Sequence, residues 1–105
     1  MSEKSFDVFV EREWLAVTPD GIERKLFLRI CRPVQQATGD WTADVSLDGI
    51  EPGTHTIHGI DSWQAVHECM RFAASRVAHL ETQSWRFYFE RGDEQASASD
   101  LFRGA

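Results

Sequence analysis

The chain has 105 residues, 42% of them hydrophobic and 27% charged, which suits a folded domain in water and neither a disordered nor a membrane-embedded chain. Eleven Lys and Arg against seventeen Asp and Glu leave a net charge of -6; both halves share the excess, so the surface repels phosphate backbones and nucleic acid is not expected as a partner. A globule of this size hides roughly 65% of its unfolded surface, enough for one core.

The opening MSEKSFDVFV has no apolar run long enough for a leader or a membrane span, so a cytoplasmic setting without a membrane is the expectation. Cys31 and Cys69 are the two cysteines. Without a secretion signal they are expected as small, reduced, partly buried side chains.

From Phe6 to Val17 the chain alternates as a long strand, with Phe6, Val8 and Val10 on one face and Asp7, Phe9, Glu11 and Glu13 on the other. The succession Trp14, Leu15, Ala16, Val17 breaks the alternation and predicts a bulge or burial on both faces. TPDG, Thr18 to Gly21, predicts a tight turn: proline presets one dihedral and glycine accepts a positive φ. The returning strand runs from Ile22 to about Arg32, with Ile22, Leu26, Leu28 and Ile30 inward, and Pro33 ends it. A third strand alternates Trp41, Ala43, Val45 and Leu47 with Thr42, Asp44, Ser46 and Asp48, one face core and the other wet. THTIHGI is a short fourth strand with Ile57 as its buried residue.

A helical period then begins at about Ser62 and lasts to Thr82, with Trp63, Val66, Met70, Ala73, Val77 and Leu80 forming the expected buried stripe. Asp61 or Ser62 is placed to cap it, and Gln64 to reach back to the amide of Asp61 as a variant capping box. Gly59 serves the bend, either through unusual dihedrals or through close backbone approach. SWRFYFE reads as a fifth strand with Trp85, Phe87 and Phe89 inward, placed either antiparallel beside the first strand, the preferred place, or beside the fourth through a right-handed crossover. Residues 1–90 thus predict a single α+β domain: an antiparallel meander of four to five strands with one long helix across one face, in the order β-β-β-β-α-β. Residues 91–105 read as a mobile tail in which only Leu101 and Phe102 can anchor.

Asp40-Trp41, followed by Gly59-Ile60-Asp61-Ser62-Trp63-Gln64-Ala65, resembles a family of small uncharacterised bacterial proteins whose helix opens Gly-x-Asp-Ser-x-Gln-Ala-Leu. Val66 stands where leucine is usual, and the resemblance covers about Phe27 to Leu80. It implies strands before a long helix in an α+β domain and carries no established activity.

Chemistry is hard to assemble from the remaining residues. His55 and His58 are three apart on a strand and face opposite ways, while His67 and His79 are over three turns apart. His67 and Cys69 are two apart on a helix and cannot make a base-nucleophile contact. Asp61 and Ser62 lack the pattern of a nucleophile elbow. No cofactor, metal or catalytic group is expected.

The sheet face opposite the helix remains, with Phe9, Phe27, Arg29 and Tyr88 as the expected interface for a protein partner or a second copy, a homodimer. The principal expectation is therefore a noncatalytic interaction protein. Alternatives are a small-ligand carrier with a pocket between helix and sheet lined by Trp14, Trp41, Trp63 and Trp85, or an enzyme whose polar residues converge only in the fold.

Overall fold

The computed structural model describes residues 7–103; Phe6 and the last two residues of the expected tail lie outside them. The elements are β1 (Val8–Val17), β2 (Glu23–Cys31), β3 (Val34–Gln35), β4 (Trp41–Asp48), β5 (Thr54–Gly59), α1 (Ser62–Glu81), β6 (Arg86–Tyr88) and α2 (Ala98–Leu101). All pairings are antiparallel. β4 meets β5 along one edge and β2 along the other, and β2 meets β1. β3 pairs with β4 on the β2 side, one residue out of step, so it prolongs β2 past a kink at Arg32-Pro33. β6 lies beside β1, with Phe87 opposite Ala16, the preferred of the two placements left open for the last strand.

The β1–β2 hairpin closes through the TPDG turn. Gly21 N–H donates to Thr18 O at 2.9 Å, Ile22 N–H donates to the Thr18 hydroxyl at 3.0 Å, and Gly21 has φ 87°. Ile22 belongs to this turn and is 53% exposed, a correction to its expected inward place. Trp14 to Val17 pair regularly and lie buried on both faces, with Trp14, Ala16 and Val17 buried and Leu15 half-buried, the second of the two readings of that run. The bulge lies instead between Val8 and Val10, leaving Phe9 unpaired against β2.

The core joins one sheet face to α1 and the C-terminal segment. Trp14, Leu26, Ile30, Val45, Leu47 and Phe87 supply the sheet side, and Ala65, Cys69, Ala73 and Val77 the helix side. These helix residues recur at steps of four and are small, so α1 can approach β4 and β5 closely. Larger side chains stand to either side of that contact line, with Met70 and Leu80 half-buried. Trp63, expected in the buried stripe, is 79% exposed because the first turn makes its contact through Ala65.

The segment after Arg91 is docked, which corrects the mobile-tail expectation and extends the domain to Phe102. Ala96 N–H donates to Phe87 O at 2.8 Å, partly capping the outer side of β6. Ser97 and Asp100 form a reciprocal capping box around α2, and Ala98 N–H donates to Glu81 Oε1 at 3.1 Å. The Ser97 amide and hydroxyl lower the pKa of Asp100. Leu101 is buried, and Phe102 packs edge-on against Trp14 at 5.0 Å between ring centres. Docking offsets chain entropy because Ala96, Ala98 and Leu101 all enter the core.

Candidate functional site

α1 and α2 cover one face of the sheet. No helix among the described residues packs on the other, where segment 89–91 reaches only the β1–β2 hairpin end through the Arg91–Glu23 pair. Strand alternation puts Glu11 and Glu13 of β1, Lys25, Phe27 and Arg29 of β2, and Asp44, Ser46 and Asp48 of β4 on that open face. β2 is the middle strand, so Phe27 and Arg29 sit centrally. Phe27 lies opposite Glu13 and Asp48, and Arg29 opposite Glu11 and Ser46.

Arg29 is held from two sides. Its Nε donates to Glu11 and its Nη1 to Asp48 Oδ2 at 3.3 Å, while its guanidinium lies 4.7 Å from the centre of the Phe27 ring. The Glu11 bond, reinforced by Asp48, raises the arginine pKa beyond its usual value against a smaller opposing effect of burial. Around it, Lys25 pairs with Glu13 at 3.6 Å and Thr56 donates to Asp44 at 2.7 Å. A shallow basin of about 750 Å³ extends from Arg29 towards Asp44, Thr54 and Thr56.

The four expected interface residues are therefore only partly brought together. Phe27 and Arg29 stack. Tyr88 is half-buried opposite Leu15, two strands away from β2. Phe9 is at the margin, 52% exposed, with the Arg32 guanidinium 5.9 Å from its ring centre and Arg32 bonded to Asp7 at 2.9 Å. The clamp by Glu11 and Asp48 was not foreseen, although the antiparallel register of the β1–β2 hairpin makes the Glu11 neighbour calculable.

The expected four-tryptophan pocket does not form. Trp14 is 3% exposed beneath Phe102, Trp41 and Trp85 are half-buried at the fringe of the core, and Trp63 stacks on His67 in the open. Tryptophans on β1, β4, α1 and the α1–β6 connection are spread over the domain rather than converging. Trp14 borders a cavity of about 320 Å³ between β1–β2 and the two helices, and Trp85 borders a separate one beside the β4–β5 turn.

The helix junction is a cap, displaced by one residue from the expected box. Asp61 is extended at φ -148° and its Oδ1 accepts from Gln64 N–H at 2.8 Å; Gln64 Oε1 accepts from Ile60 N–H at 2.7 Å, not from the amide of Asp61. Ser62 is the first helical residue and does not cap. Asp61→Ala should cost about 1 kcal/mol in urea unfolding, and Ser62→Ala much less, because one carboxylate serves the first-turn amide. Equal effects would place the helix start at Ser62 instead.

His55 and His58 fall on opposite faces, opposite Val45 and Thr42. His55 bonds Glu51 at 2.9 Å, and Arg76 of α1 donates twice to Glu51 Oε2, at 3.0 and 2.7 Å, a polar tie between the β4–β5 turn and the helix. No group of three His, Cys, Asp or Glu side chains suited to a metal occurs among the described residues. No helix there is long and apolar enough to cross a membrane.

Cys69 is fully buried, with its thiol 3.6 Å from the Ala43 carbonyl, and burial pushes its pKa up to about 12. It is the thiolate that reacts, so Cys69 should resist iodoacetamide in the folded protein at pH 8 and react freely in urea. The folded thiol holds its proton more tightly than the unfolded one. Its stabilising contribution is whole below pH 9.0 and is lost as pH rises through the folded value near 12. Cys69→Ala should flatten that alkaline decline.

Comparison with protein-family models, curated proteins and solved structures finds no match to this chain.

Proposed function

We propose that this chain is a noncatalytic binding protein that works through protein-protein contact on the sheet face its helices leave uncovered. The observation that carries the reading is the Arg29–Phe27 stack on the middle strand, with Arg29 fixed in place by Glu11 and Asp48. Arginine and aromatic side chains dominate the energetic centres of protein interfaces. A guanidinium already clamped loses little further freedom when a partner covers it. The net charge of -6 favours encounter with a basic protein surface and disfavours nucleic acid. The partner is another protein or a second copy, making a homodimer, in a cytoplasmic setting where both cysteines stay reduced; no cofactor takes part.

Light scattering from micromolar to near-millimolar protein tests self-association, and quantitative capture tests a second protein. Phe27→Asp and Arg29→Ala should each weaken the complex by about tenfold or more, while Trp63→Ala leaves it intact and circular dichroism confirms that all three fold. A strict monomer, with no protein ligand that discriminates the wild type from Phe27→Asp, would overturn the reading.

A further inference from the structure

On the opposite face β1 carries a residue that core packing does not explain. Arg12 lies between Val10 and Trp14 on the face that Trp14 and Ala16 bury, directly opposite Leu28. Arg12 is exposed and joins no ion pair among the described residues; its guanidinium rests 5.2 Å from the centre of the Trp14 ring. Beside it runs the cavity of about 320 Å³, walled by Val10, Leu28, Ile30, Met70, Leu101 and Phe102. At about 30 Å³ for each water-sized group, that space holds roughly ten non-hydrogen atoms, and it falls within the usual range for small-molecule sites.

A second feature points the same way. The Trp14 indole nitrogen is buried without a hydrogen-bond partner, the single such side-chain atom among the described residues. A buried donor left unpaired is costly and calls for an acceptor. Arg12 lies over the indole and Phe102 packs against it at 5.0 Å between ring centres, so these two side chains would have to turn for a ligand to reach the N–H. Of the other charges at the rim, Glu11 is held by Arg29 on the open face, and Arg103 is paired with Asp100 at 3.1 Å. Arg12 is left as the cation available to a ligand.

We propose that this groove binds a free amphipathic monocarboxylate, its apolar chain along Leu28, Ile30, Met70 and Leu101 and its head group on Arg12, with the Trp14 indole N–H as a second donor. A single guanidinium matches a planar, singly charged carboxylate by a bidentate pair. The site lies across the sheet from the Arg29–Phe27 stack and stands or falls separately from it.

Calorimetry with octanoate and decanoate, below the concentrations at which they aggregate, tests the proposal on the intact chain. Affinity should rise about fourfold per added methylene, with a shift in tryptophan emission that Trp14→Phe removes. Decanoate should bind at least tenfold more tightly than decanol or decylamine. Arg12→Gln, at an exposed position, should abolish that preference while leaving decanol binding unchanged, and Val10→Trp should fill the groove and abolish both. The proposal is overturned by absent binding, by equal affinity for the three head groups, by an Arg12→Gln protein that still prefers decanoate, or by sedimentation with anionic phospholipid vesicles without binding of free decanoate.

Discussion

Phe87→Ala should destabilise the protein by about 3–5 kcal/mol, the usual cost of emptying a fully enclosed phenylalanine site. Its side chain has no exposed surface, faces Ala16 across the β1–β6 pair and stacks on Trp85 at 6.3 Å between ring centres. A domain of this length is stable by about 5–15 kcal/mol, so the loss takes a large share of the whole. β6 has three residues, and its carbonyl at Phe87 receives the Ala96 amide, so loosening it should also release the C-terminal segment. Urea unfolding should show a lower midpoint, and limited trypsin digestion faster cleavage at Arg91. Phe89→Ala is the contrast: Phe89 is 39% exposed and lies past the end of β6, and its truncation should cost about 1 kcal/mol or less. Similar losses for the two would mean that the fifth strand buries its whole aromatic row.

That row shows how far the sequence could be read. Alternation assigned Phe87 to the core, but it could not say that pairing stops at Tyr88 and leaves Phe89 outside. The β1–β2 turn, the alternation of β4 and the start of α1 were legible, because each rests on local turn chemistry or a period of two, whereas the place of β6 beside β1 was one of two that the sequence left open. The buried face of α1 was legible only towards its end, at Ala73 and Val77. Ala65 and Cys69 give a weak hydropathic signal, so the larger Trp63 seemed to mark the core, whereas closeness of approach is what selects small residues. The C-terminal segment held a readable Ser97-x-x-Asp100 box and two apolar anchors, masked by the polar composition around them.

The candidate sites divide in the same way. Phe27 and Arg29 share a face by strand period, and that much follows from sequence; the clamp on Arg29 also needs β4, which arrives from another part of the chain. The groove joins β1, β2, α1 and the C-terminal segment, so no local pattern announces it. Arg12 was the available clue, since a cation between Val10 and Trp14 breaks the expected order of a buried strand face.

Alanine at three glycines should separate backbone strain from steric contact, and Gly49→Ala should be the most damaging. Gly49 has φ 104°, and a Cβ there would stand 2.0 Å from the Lys25 carbonyl oxygen, a backbone atom of β2 that cannot swing aside. A left-handed backbone costs an ordinary residue about 1–2 kcal/mol, and overpacking against a rigid neighbour about 1–3, so about 2–5 kcal/mol is expected together. Gly21 isolates the first contribution, since it has φ 87° and nothing within 4 Å of its added Cβ; Gly21→Ala should cost about 1–2 kcal/mol. Gly59 isolates the second. Its φ is not in the left-handed region, but a Cβ would meet Ala65 N at 2.5 Å and Ala65 Cα at 2.9 Å. Of the two reasons that a glycine can stand at this strand-to-helix bend, close approach is the operative one, and Gly59→Ala should cost about 1–3 kcal/mol by prising the first turn of α1 from β5. Urea midpoints of the three variants test this order, and combining Gly59→Ala with Asp61→Ala should give less than the sum of the single losses, because both act on the same turn. A Gly59→Ala protein as stable as the wild type would require α1 to enter farther from β5 than the Ala65 contact allows.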